Sequence, residues 1–151
     1  MDYNTFITQV TNLFIMAQLH LKIVTPEKLI YDSEVSQVNV STEQGEIGIL
    51  PHHANLMAKL IPGELVIKKG GKMDSMAVGD GFLQVADNVL TVMTDLATYT
   101  QDIDERVVEE AKKRAEQALE QTLSDEEYAE TLANLEKSLA QLRVKRRHRV
   151  R

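Results

Sequence analysis

The sequence predicts a β module followed by an α-helical arm, and two observations carry that reading. All seven glycines and all three prolines fall between Pro26 and Gly81, while residues 82–151 contain neither. Gly and Pro punctuate tight turns and disrupt helix interiors, so the front is turn-rich and the back is free to run as helix. The second observation is a change in hydrophobic period near residue 100, from two residues to between three and four. At 151 residues the chain holds one ordinary domain, or one compact domain with an appendage.

Residues 1–15 come first. Phe6, Ile7, Val10, Leu13 and Phe14 recur at helical spacing, which allows a short amphipathic helix. The start Met1-Asp2-Tyr3-Asn4 lacks the basic region of a secretory signal. The segment is read as an extension with no role in the fold, disordered or upstream of the true start. Met16, just ahead of the strand-like Leu19-His20-Leu21-Lys22-Ile23, would make a natural translation start.

Residues 16–99 read as strands. Leu19, Leu21 and Ile23 would face one way, and His20, Lys22 and Val24 the other. Val38 and Val40, Leu65 and Ile67, Met76 and Val78, and Val89 and Thr91 keep the two-residue rhythm. Glu43-Gln44-Gly45, Pro62-Gly63, Gly70-Gly71, Gly79-Asp80-Gly81 and Asp87-Asn88 separate the segments as turn signals. Short strands with turns this frequent predict an antiparallel sandwich or flattened barrel. The crossovers of a parallel sheet have no room.

Residues 100–151 read as a helical hairpin with a basic tail. Ile103, Val107, Ala111, Ala115 and Ala118 predict a helix of about 18 residues, with Thr100 or Asp102 as its cap. A break follows at Gln121-Thr122-Leu123, and Ser124-Asp125-Glu126-Glu127 has capping-box spacing. Tyr128, Leu132, Leu135, Leu139 and Leu142 form the seam of the second helix. An alanine in place of a leucine forfeits about 1–2 kcal/mol of burial at each position. The first helix, mainly alanine on its seam, therefore suits a modestly anchored, movable arm, and a permanently docked arm is equally open.

The formal charge of −6 is unevenly spread. Residues 102–136 carry 12 acidic and 4 basic side chains, whereas residues 137–151 carry 7 basic and no acidic ones. Such a block is a solvated tail or a contact for an anionic partner. Overall acidity argues against a nucleic-acid binder. No apolar run approaches the roughly 20 residues that span a bilayer. Without cysteine there is no disulfide framework and no thiolate metal site.

Catalytic patterns are missing: no HExxH pair, P-loop, nucleophile elbow or dinucleotide turn occurs. His52 and His53 adjoin each other near Glu46, but neighbours on extended backbone point to opposite faces and do not share a metal. Glu105, Glu109, Glu116 and Glu120 read as a solvated helix face. The expectation is a non-catalytic protein with no metal.

Gly45-Glu46-Ile47-Gly48-Ile49-Leu50-Pro51, followed by His53-Ala54, resembles the GELGIxPGHAPL signature of the epsilon subunit of bacterial F-type ATP synthase, the delta subunit of mitochondria. Pro62-Gly63, then Val78-Gly79-Asp80-Gly81-Phe82-Leu83-Gln84-Val85, continue the similarity, as do Asp95 and Asp102-Ile103-Asp104-Glu105. Asp125 to Tyr128 and Ala140-Gln141-Leu142-Arg143-Val144 resemble its second helix. The order and spacing, from about Met16 to Val144, make the resemblance specific.

The resemblance implies a sandwich of about ten strands and a two-helix hairpin, in a central-stalk rotor subunit that binds gamma and the c-ring. It implies a peripheral position on the cytoplasmic face of the bacterial inner membrane. Gly45, Glu46, Ile47, Gly48, Pro51 and His53 would form the loop that meets the c-ring and gamma. His52 departs from the family's glycine, and positive φ there would strain a histidine. The arm would dock on the sandwich, or extend along gamma toward alpha and beta and inhibit ATP hydrolysis, with Arg143, Lys145, Arg146, Arg147 and Arg149 as the contact. Some relatives bind regulatory ATP through an I/L-D-x-x-R-A motif. Here Asp104 and Arg114 occupy matching positions. Val107 stands for the arginine, and Arg106 comes one residue, about 100°, too early, which argues against tight ATP binding. Two rival functions are a stand-alone ATP-sensing module and a basic-tailed adaptor for membrane or nucleic acid.

Overall fold

The structure, a computed structural model, describes residues 1–149, with the side chains of residues 13–16 outside the description. Helix α1 (Tyr3–Met16) opens the chain. Nine strands follow: β1 (Leu19–Val24), β2 (Leu29–Val35), β3 (Gln37–Thr42), β4 (Gly45–Ile49), β5 (Leu56–Lys69), β6 (Lys72–Val78), β7 (Gly81–Ala86), β8 (Val89–Thr94) and β9 (Ala97–Tyr99). A 3-10 turn, Thr100–Asp102, leads into α2 (Glu105–Leu119) and α3 (Asp125–Arg149).

Residues 3–16 adopt the amphipathic helix that their spacing allows, and the Asp2 carboxylate caps it by accepting from the Thr5 amide at 2.7 Å. Leu13, Phe14 and Met16 lie outside the described side chains. None of the described side chains of α1 joins either buried cluster.

The strands run in the order β2-β1-β8-β7-β5-β3-β4, with β6 on β5 and β9 on β6. β5 belongs to both layers. Leu56–Leu60 pairs with β7, and Gly63–Lys69 pairs with β6. Pro62, which has no N–H to give a ladder, sits in the gap between the two registers. Counted in each layer, β5 brings the total to the ten strands the family resemblance implies. The expected turn at Pro62-Gly63 is therefore a bend within one 14-residue strand.

One pair departs from the antiparallel expectation: β1 and β8 run parallel from His20/Val89 to Val24/Met93. The crossover between them is the rest of the sandwich, so no dedicated connection is needed. The inward face alternates as the two-residue rhythm requires, with Leu19, Leu21 and Ile23 fully buried beside Val38, Val40 and Leu65. On β8 the inward residues are Leu90 and Val92; Val89 and Thr91 lie on the other face.

The break between the helices falls at residues 120–124, and the capping box forms. Glu127 accepts from the Ser124 amide at 2.9 Å, and the Ser124 hydroxyl accepts from the Glu127 amide at 3.3 Å. The cap of α2 is Asp104 instead of Thr100 or Asp102, because those two are wound into the 3-10 turn. The α2 seam is also rotated: Val108 and Ala115 are buried, and Val107 is 55% exposed.

Helix α3 differs more. Tyr128, Leu132 and Leu139 are exposed, while Ser138, Ala140, Leu142 and Val144 are buried. Ser138 with Leu142 and Ala140 with Val144 lie on nearly opposite sides at about 100° per residue. The second half of α3 is thus covered on both sides, by α2 and by β5 and β6. Ala77 of β6, Ile103, Val108, Leu142 and Val144 form the cluster that docks the arm.

Candidate functional site

Two neighbouring surfaces hold the residues that the sequence singles out. The first is the edge strand β4, which among the described residues pairs with β3 alone. Gly45 follows the turn with φ of +113° and has open space where a Cβ would be, so the need for glycine there is conformational. Ile49 faces the core and Ile47 packs against it, which leaves Glu46 and Gly48 on the outer face.

At the far end of β4 the chain turns through Pro51 and His52. His52 is left-handed at φ +61°, so the strain that a histidine would carry at this position is present. Its amide donates to Asn88 Oδ1 at 2.8 Å, and Asn88 Nδ2 donates to the Gln18 carbonyl at 2.8 Å. Asn88 therefore ties the turn to the root of β1. The His53 amide donates to the Leu50 carbonyl at 3.2 Å. The expected single loop is thus a strand with a turn at each end. Glu46 stands on the order of 15 Å from Pro51 and His53, at about 3.3 Å per residue.

The second surface is the end of the docked arm. Glu64 on β5 is the keystone, its side chain only 10% exposed. It accepts from the Ser75 hydroxyl at 2.5 Å, from His148 Nε2 at 2.5 Å and from the Arg147 guanidinium. Burial alone would push the Glu64 carboxyl up. Hydrogen bonds from His148 and Ser75, with the charge of Arg147, outweigh it and hold the carboxyl below its usual range.

Three of the other expected contact residues are also engaged. Lys145 Nζ donates to the Thr100 and Gln101 carbonyls, at 3.0 and 3.3 Å, at the end of the 3-10 turn. Arg146 reaches Glu105 at 3.4 Å and Glu109 at 3.1 Å, and Arg149 reaches Glu105 at 3.3 Å. Arg143 is exposed. Lys137 pairs with Asp95, joining the middle of α3 to the sandwich. Glu105 and Glu109 are therefore clamps in the hairpin, where a solvated helix face was expected.

A cleft of about 240 Å³ lies where the two surfaces meet, lined by Asn39, Glu46, Glu64, Lys68, Arg147 and His148. The two expected nucleotide contacts are not brought together. Asp104 spends its carboxylate on the Arg106 and Val107 amides, at 3.0 and 3.3 Å. Arg114 lines a groove between the helices with Ala111, Asn134, Lys137 and Gln141, about 15 Å along the helix from Asp104 at 1.5 Å per residue.

The arm-docking role of Glu64, the tie made by Asn88 and the pairing of Asp95 with Lys137 have no local sequence signal, because the partners that define them lie 36 to 84 residues away. A further cluster was equally hidden. The His20 ring lies between Glu34 at 2.6 Å and Asp32 at 2.5 Å, and hydrogen bonds to Glu34 and then Asp32 raise its pKa. With a carboxylate on each nitrogen, both must donate, which is the protonated ring.

Comparison with known proteins covers both surfaces. The family model described as "ATP synthase, Delta/Epsilon chain, beta-sandwich domain" matches residues 18–100, and the one described as "long alpha-helix domain" of the same chain matches residues 101–146. The sequence is 39% identical over 127 residues to the ATP synthase epsilon chain of Nitratidesulfovibrio vulgaris strain DP4, covering 84% of this chain and 95% of that one. It is 36% identical over 137 residues to that of Alkalilimnicola ehrlichii, covering 90% and 98%. Among solved structures, a chain in the mitochondrial ATP synthase of Euglena gracilis (OSCP/F1/c-ring, rotational state 1) aligns with a TM-score of 0.69 and 25% identity, over 89% of this chain and 82% of that one. A chain from the central stalk and c-ring of the Tetrahymena thermophila mitochondrial enzyme shares the fold, with a TM-score of 0.57 at 14% identity over 83% and 95%.

Proposed function

The chain belongs to the ATP synthase delta/epsilon family, and from that premise we propose that its sandwich grips the rotor while its docked arm is a releasable brake on ATP hydrolysis. It is a non-catalytic subunit of the central stalk, with gamma and the c-ring as partners, and alpha and beta when the arm extends. Membrane association comes through the complex. No helix among the described residues is long and apolar enough to cross a membrane. The place of the complex is the cytoplasmic face of the bacterial inner membrane, since the relatives compared above include epsilon chains of bacteria.

In this reading β4 and its flanking turns, with Glu46 at one end and Pro51 and His53 at the other, face the c-ring and gamma. A strand edge suits that task, because its rigid ladder on β3 presents Glu46 and Gly48 without side-chain reorganisation. The brake rests on one observation: Lys145, Arg146, Arg147 and Arg149 are all engaged within this protein. A cation bonded to Glu64 or Glu105 cannot bond an acidic surface of the catalytic hexamer at the same moment. Docking and extension therefore compete for the same charges, which makes the arm two-state.

Ion pairs half open to solvent are each worth about 0–1 kcal/mol, so the set biases the arm without locking it. Residues 100–151 removed from the assembled enzyme should raise ATP hydrolysis and leave assembly intact. Unchanged hydrolysis in an intact complex would show that the arm is no brake here. The regulatory-ATP variant of this function has little support, because Asp104 is occupied as a helix cap and stands apart from Arg114.

A further inference from the structure

One passage of backbone, residues 100–104 between β9 and α2, joins the arm to the sandwich, so any release of the arm pivots there. It begins with the 3-10 turn Thr100–Asp102, three residues long. Such turns are weak because their hydrogen-bond geometry is poorer than that of an α-helix. The bond that closes this one runs from the Ile103 amide to the Thr100 carbonyl at 3.4 Å, long for an N–H···O contact. A turn this short, closed by a bond this long, needs support from outside to stay wound.

Two anchors supply that support. Thr100 is buried, and its hydroxyl donates to the Ser75 carbonyl of β6 at 2.9 Å, which ties the start of the turn to the sheet. The second anchor comes from the arm itself. From 45 residues further along the chain, Lys145 Nζ donates to the Thr100 carbonyl at 3.0 Å and to the Gln101 carbonyl at 3.3 Å. Carbonyls of a helical turn point toward its C-terminal end, where a lysine is favoured. The remaining arm contacts among the described residues go elsewhere. Arg147 and His148 reach Glu64 on β5, Lys137 reaches Asp95, and Arg146 and Arg149 reach α2. Among the described residues, Lys145 is the α3 side chain that bonds the hinge.

We propose that Lys145 is a catch on the hinge, so that docking of the arm and winding of Thr100–Asp102 are one transition. This rests on the arm being the releasable brake proposed above, and it adds how release is gated. With α3 seated, Lys145 satisfies both carbonyls and the turn is held short. As α3 leaves, the carbonyls lose their donor and Ile103 loses its cover, since Ile103 belongs to the cluster that docks the arm. The turn then unwinds. Three residues passing from about 2.0 Å to about 3.3 Å of rise each lengthen the tether by about 4 Å. Losing the α3 contact and the winding together favours full docking or full release over fraying, which is what a two-state brake requires.

The test reads arm and hinge separately in the full chain. The chain has no cysteine, so Lys72→Cys on the sandwich and Glu130→Cys on α3, both at exposed positions, take a spin-label pair whose distances give the docked fraction. The carbonyl carbon shifts of Thr100 and Gln101 report the winding of the turn. Lys145→Met keeps the stem and removes the donors. It should lower the ratio of docked to undocked arm about tenfold, the scale of a charge-assisted bond partly open to solvent. Both carbonyl shifts should move toward extended values by the matching fraction. Glu64→Ala, which removes no bond to the hinge, should release the arm and unwind the turn to equal extents. An arm released by either variant with both shifts unchanged would overturn the proposal, since the hinge then stays wound without the arm. Shifts moved by Lys145→Met while the arm stays docked would overturn it too, by making Lys145 a local cap. So would a docked ratio that Lys145→Met leaves unchanged. These readings use the isolated chain, and ATP hydrolysis by the assembled enzyme tests the brake separately, so either can fail without the other.

Discussion

Replacing Glu64 by alanine should release the arm without unfolding the sandwich. The carboxylate is nearly closed to solvent and accepts from Ser75, His148 and Arg147, so its loss strands three donors. Hydrogen bonds to a charged group contribute about 1.5–3 kcal/mol each when buried. Arg147 is 53% exposed and His148 32%, so water recovers much of their share. The net cost to docking is therefore about 2–3 kcal/mol, or about 30- to 140-fold in the ratio of docked to undocked arm, at 1.4 kcal/mol per tenfold. The core cluster of the sandwich does not include Glu64, so its transition should stay in place. The basic run from Arg143 to Arg149 is itself a set of trypsin sites, and cleavage there reports the undocked fraction when opening is fast. Trypsin should cut the variant tens of times faster than the parent. A double-mutant cycle with Arg147→Ala should show coupling, because both residues serve one contact. Cleavage within twofold of the parent would refute the keystone role of Glu64. The same contact gives acid sensitivity. Since Glu64 titrates lower when docked than when free, its contribution is complete above the free value and disappears as pH falls through the docked one.

Three further outcomes are expected. Asn88→Ala should cost about 1–2 kcal/mol in denaturant unfolding, because it removes the solvent-exposed hydrogen bonds to the His52 amide and the Gln18 carbonyl and puts an alanine in left-handed backbone. His52→Gly should raise stability by up to about 1 kcal/mol in calorimetry, since relief of the left-handed strain slightly exceeds the entropy that glycine adds to the unfolded chain. The His20 contact should be at full strength below the ordinary histidine value and fade as pH rises through its raised folded value; His20→Gln should flatten that part of the pH–stability profile.

Much of this architecture was legible because it depends on near neighbours. Period two on β1, β3, β5 and β6, the break after α2 and the Ser124–Glu127 capping box each need only a few adjacent residues. Failures came where distant packing decides. Val107 and Val108 both fit the spacing of a seam, and only the position of the sheet selects Val108. Tyr128, Leu132 and Leu139 form a clean stripe, yet the arm docks through Val108, Leu142 and Val144 packed on Ile103 and Ala77, which lie off that stripe apart from Leu142. Pro62-Gly63 carries a turn signal, but neighbouring ladders on both sides hold it as a bend in β5. The basic block at residues 143–149 was visible as charge. Its partners were not, because Glu64 lies more than 80 residues away and has no local pattern around it. The segment from Gly45 to His53 is visible as a motif, and its division into strand and two turns requires the register with β3.

The most direct test of the account is co-purification with the gamma subunit of the same complex, using the full chain and a chain ended before α2. The account predicts a stoichiometric complex in both cases, because the sandwich grips the shaft and the arm regulates it. A full chain that forms no complex with gamma would contradict the central claim, however faithfully its fold matches the family.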